Sequence, residues 1–192
     1  MKKLLLITGD LATGKSTFAG QLSQRYDTNV FYKDTIKEVL ADTIGFRDRE
    51  ENLKLSRATG ELMLFLFEGS AKLGKDLILE SNFRPVELEK LHRTAREYGY
   101  AVLTVLLRGD AQILHERYLD RSRGGNRHPV HLSTTFEVFE DFREYLLRSR
   151  ETAVPGNVLP VDANDFSYQQ DGALLRSIDE FFGKQITPDH LG

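Results

Sequence analysis

Gly9-Asp10-Leu11-Ala12-Thr13-Gly14-Lys15-Ser16-Thr17 is the segment on which the fold turns. It fits, without a mismatch, the pattern glycine, any four residues, glycine, lysine, then serine or threonine. Each residue type has a chemical reason. Gly9 and Gly14 let the backbone curl until several N–H groups point inward, a cradle for phosphate oxygens. A helix beginning near Lys15 adds the positive end of its dipole. Lys15 is expected to reach the β- and γ-phosphates of a triphosphate, and Ser16 to offer its hydroxyl to magnesium. Thr17 is a neighbour at the helix start, within reach of an α-phosphate. The nine residues are the candidate nucleotide-binding segment, with ATP and Mg2+ as its expected ligands.

The flanks agree with that reading. Residues 3–8 form a short apolar run that ends in glycine, as a buried strand does. Residues 14–26 carry Phe18, Leu22 and Tyr26 at helical spacing. Further strands are expected at 29–32, 76–81, 100–107 and 157–161. Helices are expected at 34–41, 49–73, 85–98, 111–119, 134–148 and 172–182, and 124–132 reads as a loop. The inner face of 49–73 is expected from Leu53, Ser56, Gly60, Met63, Leu64 and Phe67, and that of 134–148 from Phe136, Phe139, Phe142 and Leu146. The tail from Thr187 is expected to fray. Strands alternating with helices predict an α/β architecture, a parallel five-stranded sheet with helices on both faces. With the phosphate loop after the first strand, the expected fold is the three-layer sandwich that P-loop NTPases have. One domain is expected over residues 1–192, with a small arginine-bearing lid near 117–132.

Composition narrows the classes further. Of the 192 residues 40% are hydrophobic and 29% charged, and the formal net charge is -3. A chain of this size buries a sufficient core without staples, and there is no cysteine for a disulfide, a zinc thiolate or a thiol nucleophile. The acidic balance argues against a dedicated nucleic-acid coat or a binder of anionic membranes. Residues 1–7 begin basic and turn apolar, but the run stops at Ile7, far short of a signal-peptide core. No stretch approaches the roughly 20 apolar residues of a membrane span. No membrane partner and a cytoplasmic location are the expectations.

Candidate chemistry outside the loop lies at strand ends, which face the crevice in such sheets. Asp34 follows Phe31-Tyr32-Lys33 and is placed either to orient and deprotonate an acceptor hydroxyl or to cap the next helix. Glu80 ends the third strand, where it can serve a metal or an acceptor; Asn82 follows as an acceptor-contact candidate, with turn chemistry the alternative for Ser81 and Asn82. Arg117 and Arg121 are four apart and share a helix face next to a glycine-containing loop, which suits a lid closing over phosphates; with Glu116 and Asp120 beside them, a solvated face is the alternative. His128 and His131 read as loop or acceptor-edge residues. There is no Asn-Lys-x-Asp guanine-reading motif, and no apolar strand ends in Asp-Glu. Both absences disfavour a GTPase switch or a motor ATPase and leave a kinase, which needs a carboxylate, cations and a lid.

The pattern as a whole resembles the P-loop kinases grouped around polynucleotide 5'-kinase, the zeta toxins and chloramphenicol phosphotransferase, often labelled AAA-type ATPase domains. The residues that carry it are the Walker A segment, the tyrosine-lysine-Asp34 run, Glu80-Ser81-Asn82-Phe83 and the basic segment from Arg117 to His131. The resemblance implies ATP-dependent phosphoryl transfer to a hydroxyl. Asp34 would be the acceptor-activating residue, and Lys15, Arg117 and Arg121 would attend the phosphates. Lys37 would stand where polynucleotide kinases hold an acceptor phosphate with arginine; a lysine there lacks the bidentate fork. Glu80 would be the acidic strand-end residue, and Asp162 and Ala163 would pass beside the adenine. Ser16 and Glu80 are the metal candidates, and Asp34, Lys37, Glu80 and Asn82 the acceptor candidates. The acceptor would be a small molecule or a nucleotide, with nucleic acid less favoured. Alternatives are a polynucleotide 5'-kinase or nucleotide kinase, an ATP-binding regulatory module without robust transfer, and a zeta-toxin-like sugar-nucleotide kinase.

Overall fold

A computed structural model describes residues 1–124, 127–132 and 135–184. Five strands make one parallel sheet: β1 (Lys2–Gly9), β2 (Asn29–Tyr32), β3 (Leu77–Glu80), β4 (Tyr100–Arg108) and β5 (Asn157–Asp162), in the spatial order β2-β3-β1-β4-β5. Seven α-helices are described: α1 (Lys15–Tyr26), α2 (Lys33–Ile44), α3 (Arg49–Lys72), α4 (Pro85–Glu97), α5 (Ala111–Arg123), α6 (Phe139–Arg150) and α7 (Gly172–Phe182). This is the α/β architecture expected from the alternation of periods.

The sheet is buried on both faces, which is why its strands read as continuous apolar runs rather than alternating ones. Leu5, Ile7, Ile78, Leu103, Val105 and Leu107 point to one side, where Phe18 and Leu22 of α1 and Leu174 and Ile178 of α7 cover them. Leu4, Leu6, Leu77 and Leu79 point to the other, under Met63 and Phe67 of α3 and Leu88 and Leu91 of α4. Leu4 to Ile7 are fully buried. Burying each such side chain contributes about 1.5–3 kcal/mol. Register then places the carboxyl ends of β1, β3 and β4 side by side, with Ile7 beside Glu80 and Gly9 beside Leu107.

Several local expectations need correction. Asp34 does not cap α2: Tyr32 is the flanking residue and Asp34 lies inside the first turn. The buried stripe of α3 is Asn52, Leu55, Thr59, Met63, Phe67 and Ala71, and Leu53 is 46% exposed. A hydrophobicity count passes over Asn52 and Thr59, yet each has its polar group satisfied inside, Asn52 by the Val130 carbonyl and Thr59 by the Leu55 carbonyl. Helix α6 begins at Phe139, so Phe136 precedes it and packs on Phe142 and Tyr145 from outside the helix. The expected loop contains a 3-10 turn at Pro129–His131. There Val130 is fully buried with Ala41 of α2 and Leu55 of α3, while His128 meets Asp42 at 3.0 Å and His131 meets Glu38 at 2.8 Å. Those contacts dock the segment on α2. Thr134 and the tail from Thr187 lie outside the described residues. Among the described residues no helix is long and apolar enough to cross a membrane.

Candidate active site

The phosphate loop sits between β1 and α1, and its glycines are there for space. At Gly9 the backbone has φ 128°, and a Cβ would lie 1.9 Å from the Leu107 carbonyl oxygen of β4. At Gly14, φ is 85°, and a Cβ would press on Phe166 at 2.9 Å and the Tyr168 hydroxyl at 3.0 Å. Both positions combine positive φ with close approach, so only glycine fits. Tyr168 also donates its hydroxyl to the Thr13 carbonyl at 2.8 Å, tying the loop to the segment after β5.

Lys15 is buried, and its ammonium turns back onto the loop. It donates to the Asp10 carbonyl, with longer contacts of 3.4 Å to the Gly9 carbonyl and the Thr13 hydroxyl. Burial pushes its pKa down, opposed by the carboxylates of Glu80, Asp34 and Asp10. Glu80 is its mirror image. Burial pushes that carboxyl up, while Lys15 pulls it down and Asp34 pushes it up again. The Ser16 hydroxyl donates to Glu80 Oε2 at 3.0 Å. Thus the two metal candidates, 64 residues apart in sequence, share one hydrogen bond.

Asp10 has a different setting from the rest of the loop. Its side chain is 2% exposed and pairs with Arg150 at the end of α6, and Oδ2 accepts from the Gly109 amide at 3.1 Å. Neither partner was legible in the motif, which permits any residue at that position.

A cavity of about 380 Å³ lies over the loop, lined by Leu11 to Thr17, Asp34, Glu80, Ser81, Asn82, Arg117, Arg121 and Phe166. The two arginines expected in a lid both line this cavity but are held differently. Arg117 donates to the carbonyls of Ala163 (2.8 Å) and Asn164 and stacks over the Phe166 ring at 4.3 Å. It is anchored at the end of the cavity beyond β5. Arg121 makes no ion pair among the described residues, and its charge bears on both Lys15 and Glu80. Asp162 is not part of this lining: it is exposed, and its Oδ1 accepts from the Asn164 amide at 2.8 Å, closing the turn after β5. Phe166, half exposed, lines the cavity instead. An isolated exposed aromatic in a polar loop carries no periodic signal by which the sequence alone would mark it.

A second cavity, about 530 Å³, opens beside the first between α2, α3, α5 and α6. Leu11, Asp34 and Asn82 line both. Asp34 accepts no hydrogen bond among the described residues, so its carboxylate is available at that junction. Asn82 Oδ1 is buried there without a partner. Lys37 lines the second cavity and donates to Asn52 Oδ1 at 2.5 Å; burial pushes its pKa down, with Asp34 opposing. Of the acceptor candidates, Asp34, Lys37 and Asn82 therefore meet at the second cavity, and Glu80 faces only the first. The lining is mixed in charge: Lys37, Arg49, Arg127 and Arg148 against Asp34, Asp141 and Glu144.

Residues 4–146 match an AAA domain family. The chain belongs to that family. Solved structures share its fold. A protein of Chloroflexus aurantiacus described as a candidate kinase superposes with a TM-score of 0.80 at 25% identity, covering 97% of this chain and 99% of that one. A gluconokinase from Sinorhizobium meliloti gives a TM-score of 0.56 at 14% identity, over 96% and 98% of the two chains. A chain of the PezAT chromosomal toxin–antitoxin system of Streptococcus pneumoniae gives 0.57 at 15%, over 97% of this chain and 81% of that chain. At those last two identities the likeness is one of fold. No curated protein matches the sequence. The fold is that of a P-loop kinase-like domain, as the phosphate loop and the five parallel strands already imply.

Proposed function

We propose that this AAA domain is an ATP-dependent phosphotransferase that moves the γ-phosphoryl of MgATP to a hydroxyl of a small acceptor held in the second cavity. One observation carries the reading: Asp34, with no hydrogen-bond partner of its own among the described residues, stands where the phosphate cavity and the second cavity meet.

The loop amides and Lys15 bind the triphosphate; on binding, the Lys15 ammonium exchanges loop carbonyls for phosphate oxygens. Ser16 and Glu80 suit magnesium, since a hydroxyl and a carboxylate 3.0 Å apart are hard oxygen donors. Among the described residues no group of three or more histidine, cysteine or acidic side chains is gathered to hold an ion, so phosphate oxygens and water would complete the shell, as is usual for Mg2+. Bound there, the ion would neutralise charge on the β- and γ-phosphates. Asp34 orients the acceptor hydroxyl and takes its proton. The acceptor oxygen forms its bond to the γ-phosphorus as the bond to the β–γ bridging oxygen breaks, and ADP leaves. Arg121 attends the charge on the moving phosphoryl group, and Arg117 with Phe166 serves the base end. Positioning and electrostatics account for most of the rate in this class of reaction.

The mixed lining of the second cavity supports a small acceptor over a nucleic-acid end, which would call for a continuous basic groove leading to Asp34. The test is transfer of label from γ-labelled ATP with magnesium into a panel of nucleosides, oligonucleotides, sugars, sugar nucleotides and aminoglycosides, run beside Asp34→Ala. Label in one acceptor class, reduced about 10²- to 10⁴-fold in the variant with ATP affinity intact, is the expected result. Normal transfer by Asp34→Ala would overturn the assignment of the base. ATP bound with no label moved to any alcohol would favour the regulatory-module reading.

A further inference from the structure

A carboxylate inside a phosphate cradle needs an explanation. Asp10 adds a negative charge to a loop whose amides, lysine and helix terminus are otherwise arranged to attract anions. Unpaired, it would oppose the triphosphate through a low-dielectric interior, where charges act at longer range than in water. It is not unpaired. Arg150 Nε donates to Asp10 Oδ1 at 3.2 Å and Nη2 to Oδ2 at 2.5 Å, the two-pronged geometry of a guanidinium on a carboxylate. The pair is sequestered, with the Asp10 side chain 2% exposed and that of Arg150 27% exposed.

Three chain segments meet at this point. Nη2 of Arg150 also donates to the Gly109 carbonyl at 2.6 Å, and the Gly109 amide returns a bond to Asp10. Gly109 lies directly before Asp110, whose side chain caps α5, the helix that carries Arg117 and Arg121. The backbone carbonyl of Asp10 takes the Lys15 ammonium and, at 2.9 Å, the Thr13 hydroxyl. Arg150 thus holds the residue that holds Lys15, and it does so from α6, a helix that packs on α5 through Leu114, Tyr118, Phe142 and Leu146, with Leu11 and Ala12 of the loop against the same cluster.

We infer that Arg150 is a positioning residue for nucleotide binding: it cancels the Asp10 charge and fixes the loop, so that the cradle presents a net positive face to the triphosphate. It acts through Asp10 and need not touch nucleotide. The inference rests on nucleotide binding by the loop and is independent of whether a phosphoryl group is then transferred.

The test is equilibrium binding of MgATP, without any acceptor, to the wild-type chain and to Arg150→Ala, Arg150→Lys, Asp10→Asn and the double variant Asp10→Asn/Arg150→Ala, with thermal melting of each. Arg150→Ala, which strands the buried carboxylate, is expected to weaken ATP binding about 10- to 100-fold. The double variant, which removes the stranded charge as well, is expected to return to within about threefold of Asp10→Asn, a non-additivity that marks direct coupling. Arg150→Lys, which keeps the charge and loses the fork, is expected to lie between wild type and Arg150→Ala. Loss of packing alone would not be repaired by a second substitution. ATP binding by Arg150→Ala within about twofold of wild type, or a double variant as weak as Arg150→Ala, overturns the inference. If Arg150→Ala melts too low to assay, the double variant and Asp10→Asn decide it: ATP affinities of these two within about threefold of each other support the coupling, and a double variant about tenfold or more weaker than Asp10→Asn refutes it.

Discussion

The Ser16 hydroxyl donates to the Glu80 carboxylate across 3.0 Å, joining the start of α1 to the end of β3. The bond exists because β1 and β3 pair in register, with Ile7 beside Glu80, and the phosphate loop carries the chain from Ile7 round to Ser16. The carboxylate is then enclosed by the loop, Lys15 and Asp34, and that enclosure sets its titration.

Glu80 is expected to be a cost to the ligand-free fold at neutral pH. Burial raises its folded pKa above the ordinary 4.5. Such a group contributes its stability fully below that ordinary value and loses it as pH rises through the raised one. The melting temperature of wild type relative to Glu80→Gln is therefore expected to climb as pH falls from neutrality toward 4.5, while the magnesium requirement for transfer increases in the variant. Parallel melting curves for the two proteins across that range would contradict the burial argument.

Lys15→Ala removes the one cation of the loop Gly9 to Thr17, proposed to move from loop carbonyls to the phosphates when nucleotide binds. Transfer is expected to fall at least about 10²- to 10³-fold. The lysine's folded pKa is lowered by burial, so its charged form, too, is an expense at neutral pH. A neutral isostere, Lys15→Met, is expected to melt no lower than wild type while failing in transfer. Substantial activity in either variant would remove Lys15 from the reaction.

Arg117 and Arg121 are expected to separate kinetically. Arg117 is committed to two carbonyls and the Phe166 ring, so Arg117→Ala should raise KM for ATP with a small effect on kcat. Arg121 has no ion-pair partner among the described residues and lines the phosphate cavity. Arg121→Ala should lower kcat about 10²- to 10³-fold with KM little changed. Steady-state kinetics on the two variants decide it, and matching profiles would mean that the two arginines act as one unit.

Gly9→Ala forces a Cβ to within 1.9 Å of the Leu107 carbonyl at a positive φ. The β1–β4 ladder has to part locally. A loss of roughly 2–4 kcal/mol is expected, read by denaturant melting, together with failure to bind ATP. Wild-type stability in Gly9→Ala would show that the loop can adopt another path.

Much of this protein is legible without its structure. The spacing of Gly9, Gly14, Lys15 and Ser16 encodes a cradle because the geometry is local: backbone curl, helix start and lysine reach all lie within nine residues. The continuous apolar runs of β1 and β4 encode burial on both faces, and hence a parallel sheet between helical layers. Strand-end positions marked Asp34, Glu80 and Asn82 for the same reason, since all parallel strands deliver their carboxyl ends to one crevice. The partners across that crevice are a matter of tertiary structure alone. That Glu80 meets Ser16, that Arg150 neutralises Asp10 from 140 residues away, that Arg117 turns to Ala163 and Asn164 while Arg121 stays unpaired among the described residues, and that Asp34 opens onto two cavities all depend on how helices pack over the sheet. Periodicity records which face of a helix is apolar, and it holds no information on which distant polar group that packing will bring within 3 Å.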